Sequence, residues 1–211
     1  VSDPSRFTFA DAGPEHGPGL EALFEAAGSP CYCRYWHFTG DKNAWLERCY
    51  VGTGENRAEL AAALATGSDQ ARGVVALRED GAVVGWLKAA PAEGMGKVYG
   101  QRLYRGLPCF QGDRSGVFTI GCLLVRPDAR HQGLARALVA AVVERAPAWG
   151  ARALEAFPRR PREAVSDEEL WTGPASAFVA AGFVEVNDFA PYPVLRRELG
   201  GLSAPSATES S

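Results

Sequence analysis

VFTIGCLLVRPDARHQGLARALVAAVVERAP, residues 117–147, sets the architecture of the whole chain. Its first nine residues are a nearly continuous apolar run, suited to a strand buried on both faces. Arg126-Pro127-Asp128 then turns the chain. From Gly133 to Ala146, Leu134, Leu138, Ala141 and Val142 recur at the helical period, and Pro147 ends the helix. ARALEAF (151–157) reads as the next strand. A strand, a helix and a strand joined in this way form a crossover unit, so 117–125 and 151–157 are expected to run parallel.

Upstream, VVAL (74–77) and AVVGWLKA (82–89) flank Arg78-Glu79-Asp80-Gly81, whose Asp-Gly pair signals a hairpin. FTFA (7–10) reads as a short strand, and 17–28 as a helix on Leu20, Leu23 and Phe24. Asp41 is placed to cap a helix through Trp45 and Leu46, and Leu60, Ala63 and Leu64 share one face of a helix over 54–66. Gly and Pro among Tyr99, Arg102, Tyr104 and Arg105 mark 91–115 as a long excursion with one helical turn. A charged, Pro-rich connection (158–169) leads to a short helix near 174–181. FVEV and PVLRREL supply the last two strands. The order predicts one mixed α/β domain over 1–199, with a mostly antiparallel sheet of six to seven strands, and a flexible polar tail at 200–211.

Apolar residues make up 46% of the 211 and charged residues 22%, as in a globular domain. A net charge of −3 argues against a nucleic-acid partner, whose phosphates need a concentrated basic face. No stretch approaches the ~20 apolar residues that span a bilayer, and the N-terminus does not read as a secretory signal. The expected location is therefore cytoplasmic, with no membrane partner. Five cysteines, an odd number, suit free thiols better than a disulfide framework.

The chemistry sits in Val125-Arg-Pro-Asp-Ala-Arg130-His-Gln-Gly133-Leu-Ala135-Arg136. Gly133 and Ala135 keep the turn free of bulk, so an anion can approach the backbone at the helix N-terminus, where amides lack intrahelical acceptors. Arg130 and Arg136 add direct pairing. The pattern is neither the dinucleotide fingerprint nor a P-loop, and a strand-turn-helix whose glycine merely permits the turn has the same spacing.

The segment resembles the coenzyme-A loop of the GNAT acetyltransferase family, [QR]-x-x-G-x-[GA], matched by Arg130, Gly133 and Ala135. Val125-x-Pro127, the apolar helix after the loop and the later Ala180-Ala181-Gly182-Phe183 fit the same family, and the order of elements matches over about residues 5–198. The CYC-R-Y-W run, the LEAFP strand and the GPASAF helix resemble a set of bacterial members without an assigned substrate. The resemblance implies that the two parallel strands splay at their C-terminal ends, with helices on both sheet faces. Pantetheine of acetyl-coenzyme A would lie in that gap against Leu123, Leu124 and Val125, and near Ser176 and Phe178. Amides from His131 through Gln132, Gly133, Leu134 and Ala135 to Arg136 would hold the pyrophosphate. It also implies an acetyl-coenzyme A-dependent N-acetyltransferase acting on a small-molecule amine or aminoacyl group and, at family level, a homodimer.

Acyl transfer needs a neutral amine, and an alkylammonium near ~10.4 is about three units too protonated at neutral pH, a cost of roughly 4 kcal/mol. Family members commonly use a carboxylate as base and a tyrosine as the thiolate's acid. Here the tyrosine position is Phe178, and strand 117–125 holds no acid, so the candidate base is Glu155 on the next strand, with solvent or an arginine as its alternative partner. Cys122 is a candidate thiol acid or acyl carrier, or a small core residue. Tyr35, Trp36 and Tyr104 are candidates to line an acceptor site, though Tyr35 and Trp36 equally suit core packing. Cys31-x-Cys33 is tighter than zinc-knuckle spacing and no second knuckle follows, so no metal is expected. The missing acid leaves a catalytically silent coenzyme-A-binding sensor open as a second reading, and a protein N-acetyltransferase as a third.

Overall fold

The computed structural model describes residues 6–200 except Thr53, Arg162 and Ala164. The tail expected at 200–211 lies, beyond Gly200, outside the described residues. One mixed sheet contains β1 (Phe7–Asp11), β2 (Gly73–Arg78), β3 (Val83–Pro91), β4 (Val117–Val125), β5 (Ala153–Ala156), β6 (Val184–Asn187) and β7 (Val194–Glu198). Their order is β1-β2-β3-β4-β5-β7-β6. β4 and β5 are parallel, and the other neighbours are antiparallel.

The β2–β3 turn forms because Gly81 adopts φ 81° and the Asp80 carboxylate accepts the Ala82 amide at 3.0 Å. Among the described residues six α-helices accompany the sheet: α1 (Gly17–Ala26), α2 (Lys42–Tyr50), α3 (Gly54–Ala65), α4 (Gly96–Tyr99), α5 (Leu134–Arg145) and α6 (Ala175–Ala180). Asp41 caps α2, its Oδ1 accepting the Ala44 amide at 2.9 Å. Leu134, Leu138 and Val142 of α5 pack with Phe118, Ile120 and Leu154 of β4 and β5. In a second cluster Leu20, Leu23 and Phe24 of α1 and Leu60 and Leu64 of α3 pack with Trp86. Helices therefore cover both faces, and each buried Leu or Phe adds about 1.5–3 kcal/mol.

The excursion expected at 91–115 folds inward more than a loop would. α4 supplies its helical turn, and Tyr104 is buried with Trp36, Met95, Val98 and Phe157, while Arg102 and Arg105 stay exposed. Strand β5 is shorter than the 151–157 expected, and that shortening positions the site. β4 pairs with β5 only from Val117↔Ala153 to Ile120↔Ala156. Beyond Ile120, β4 continues for five residues against β3 alone.

Candidate active site

Divergence of β4 from β5 opens a cleft of about 1280 Å³. One side is β4 from Ile120 to Val125, and the adjoining wall is the turn into α5. A register shift between Lys88 and Ala89 leaves Gly121 as an extra residue in β4. The Gly121 carbonyl accepts the Trp36 indole N–H at 2.8 Å, and a Cβ there would lie 2.6 Å from the Met95 methyl. The bulge turns β4 and fixes Trp36 beside it.

The turn itself is braced from outside. Asp128 accepts from Arg126 at 2.6 and 2.7 Å and from Arg78 at 3.1 Å, and these guanidinium bonds hold its carboxyl well below the usual range. His131 and Gly133 adopt φ 59° and 80°, so the chain enters α5 through left-handed backbone. Gly133 is the N-cap and brings no side chain, so the first-turn amides receive no side-chain acceptor there. Arg130, His131, Gly133, Leu134, Ala135 and Arg136 all line the cleft.

Across the same cleft runs a strap, residues 167–173. Ser166 and Glu169 close a capping box at its start. Glu168 pairs with Arg130 at 2.6 Å, and Asp167 with His131 at 3.2 Å. The Trp171 carbonyl accepts the Leu123 amide at 2.7 Å, in the place a neighbouring strand would take. Its indole lies 5.7 Å from that of Trp36.

Of the residues expected to bind a cofactor, Leu123, Leu124, Val125 and Ser176 also line the cleft, whereas Gln132 and Phe178 do not. Gln132 donates to the Asp128 carbonyl at 3.0 Å and so braces the turn. Phe178 is fully buried against Phe183, its ring committed to the core. Cys122, Tyr35, Trp36 and Tyr104 line the cleft. Glu155 does not. It is fully buried, accepting from Arg114 at 2.7 and 2.7 Å, Arg196 at 3.3 Å and Tyr99 at 2.7 Å. All five cysteines are free, and no group of three or more metal-ligating side chains occurs among the described residues.

Sequence reasoning missed Trp45, Phe157, Trp171 and Tyr192, all of which line the cleft. The S-D-E-E box at 166–169 was the available signal that the charged connection has a folded turn. It also missed that Tyr32 and Cys33 both take left-handed backbone, φ 44° and 53°. That tight turn brings the Cys33 sulfur to the Trp86 indole N–H at 3.2 Å and directs the following aromatics into the cleft.

The model of the acetyltransferase (GNAT) family matches residues 41–165, more than half of the chain. The chain belongs to that family. Solved structures of GNAT proteins share its fold at low identity. A GCN5-related N-acetyltransferase from Kribbella flavida matches with TM-score 0.55 and 18% identity, over 93% of this chain and 100% of that one. A phosphinothricin acetyltransferase from Sinorhizobium meliloti, solved with acetyl-CoA, gives 0.52 and 21% over 94% and 92%. The PaiA N-acetyltransferase from Thermoplasma acidophilum, solved with coenzyme A, gives 0.51 and 8% over 91% and 98%. No curated protein sequence matches. No helix among the described residues is long and apolar enough to cross a membrane.

Proposed function

We propose that this GNAT protein uses acetyl-coenzyme A to acetylate the amine of a small molecule. The observation that carries the reading is the cleft itself, where β4 diverges from β5 beside a glycine-capped helix N-terminus. The residues present suit the coenzyme. The free amides at the start of α5, with Arg130 and Arg136, match a pyrophosphate. The β4 edge from Leu123 to Val125 offers backbone groups to an amide-bearing arm, once the Trp171 carbonyl gives up the Leu123 amide. Thioester chemistry then falls near Cys122 and the Gly121 bulge, with the acceptor entering past Tyr35, Trp36 and Tyr104.

The chain's own contribution is orientation and exclusion of water. A neutral amine held within van der Waals reach of the thioester carbonyl gains most of its rate from that placement. Glu155 holds the sheet together in this reading and takes no part in the chemistry, because two guanidinium groups and a phenol already take its oxygens. The Cys122 side chain lines the same stretch of the cleft. The test is calorimetry with coenzyme A, followed by thiol release from acetyl-coenzyme A across a broad amine panel. Binding and turnover are expected, and absence of coenzyme A affinity removes the assignment. Binding without turnover on any amine would favour the silent-sensor reading, which the Leu123–Trp171 bond across the coenzyme seat supports.

A further inference from the structure

We infer that the acceptor is a weakly basic aromatic primary amine, seated among two groups of rings and acetylated without a protein base. This rests on the acetyl-transfer reading above and narrows its acceptor. The first group is Tyr35, Trp36 and Trp45, with Tyr35 in edge contact with the two indoles at 5.0 and 5.2 Å. The second is Tyr104 and Phe157, 4.9 Å apart. All five line the cleft, and offset or edge-on packing among such rings favours another ring.

Negative charge in the cleft is already engaged elsewhere. The acidic liners are Asp167, Glu168 and Glu169, all on the strap. They pair with His131, Arg130 and Arg159. The other proton-bearing liners include buried thiols and phenols. Burial pushes the Tyr104 phenol and the Cys33 thiol up, so neither takes a proton at neutral pH. In the coenzyme-free cleft an alkylammonium, near ~10.4, would meet no unpaired carboxylate among the described lining residues, and the nearest that coenzyme binding could release, Glu168, lies beside Arg130 at the phosphate end rather than among the rings.

An aromatic amine needs none, because delocalisation of its lone pair into the ring leaves it neutral at pH 7. Its nitrogen attacks the thioester carbonyl carbon, the N–C bond forms and the C–S bond breaks. The departing thiolate, of ordinary basicity near ~8.5, takes the proton that the acylated nitrogen sheds. The products are the N-aryl acetamide and coenzyme A thiol. No side-chain acid is needed at position 178.

Thiol release from acetyl-coenzyme A, followed between pH 6 and 9 with 4-methylaniline, benzylamine and hexylamine, tests the inference. Expected is a kcat/KM for 4-methylaniline at least roughly tenfold above that for benzylamine at pH 7, and flat across the range. Equal or faster release with benzylamine or hexylamine overturns the inference and leaves acetyl transfer standing. No release with any amine, despite coenzyme A binding, overturns both. Calorimetry gives a readout apart from turnover. N-(4-methylphenyl)acetamide is expected to bind the Trp45→Ala protein roughly fivefold more weakly, at unchanged coenzyme A affinity. Equal affinity in that variant overturns the ring seat.

Discussion

Two buried polar side chains, Lys88 and Glu155, show how far single residues of this sheet are committed to structure. Lys88 is 1% exposed, and its ammonium donates to the Gln70 carbonyl at 2.5 Å. Burial pulls its pKa down to about 8, from an ordinary value of 10.5. The unfolded chain therefore binds the extra proton between those values, so stability rises with pH from about 8 to 10.5, and the full penalty stands below 8. The penalty is on the order of 3 kcal/mol. Lys88→Met is expected to gain about 1–3 kcal/mol at pH 7 and to flatten that alkaline rise, read from denaturant midpoints. The Gln70 carbonyl keeps a partner in Arg34, at 3.1 Å. Glu155 is the opposite case. Glu155→Gln leaves Arg114 and Arg196 without their shared carboxylate and is expected to cost about 2–4 kcal/mol. The shape of the pH–kcat/KM profile should survive, and loss of its acid limb would return Glu155 to the chemistry. The sequence reading left Glu155 open between a base and an arginine partner, and the structure shows the arginine pairs, whose source could not be read from sequence. The Glu155 partners Tyr99, Arg114 and Arg196 lie 56, 41 and 41 residues away, beyond any local pattern.

Elements were legible wherever their determinants are local. Asp80-Gly81 set the β2–β3 hairpin, Asp41 set the start of α2, and the 3.6-residue period of Leu134, Leu138, Ala141 and Val142 set α5. The strap was not legible, because acidic residues next to a Trp carry no period. Contacts distant in sequence, with Arg130, His131, the Leu123 amide and the Trp36 indole, order it against the cleft. Its carboxylates compete with any anion for the same cations. Glu168→Gln is therefore expected to tighten coenzyme A binding roughly two- to fivefold at low salt, with the gain fading as salt rises. Weaker binding in that variant would mean that the strap assists the ligand.

For the molecule as a whole, β4 and β5 part after Ile120, and the last five residues of β4 keep only β3 as a neighbouring strand, which is where two parallel strands were expected to diverge. The expectation came from family likeness, since nothing local to 153–156 states where pairing stops. A ligand that fills the opening binds only the folded chain, so coenzyme A at a hundredfold excess over its Kd should add about 2.7 kcal/mol to unfolding stability. A midpoint independent of coenzyme A concentration would refute this. The contact between the Trp36 and Trp171 indoles has one more consequence. It joins the rim of the opening to the turn that covers it, so a ligand that takes the Leu123 amide is expected to pull a pair of emitters apart. Intrinsic fluorescence should then shift on titration and give the protein an optical gauge of occupancy without any attached dye.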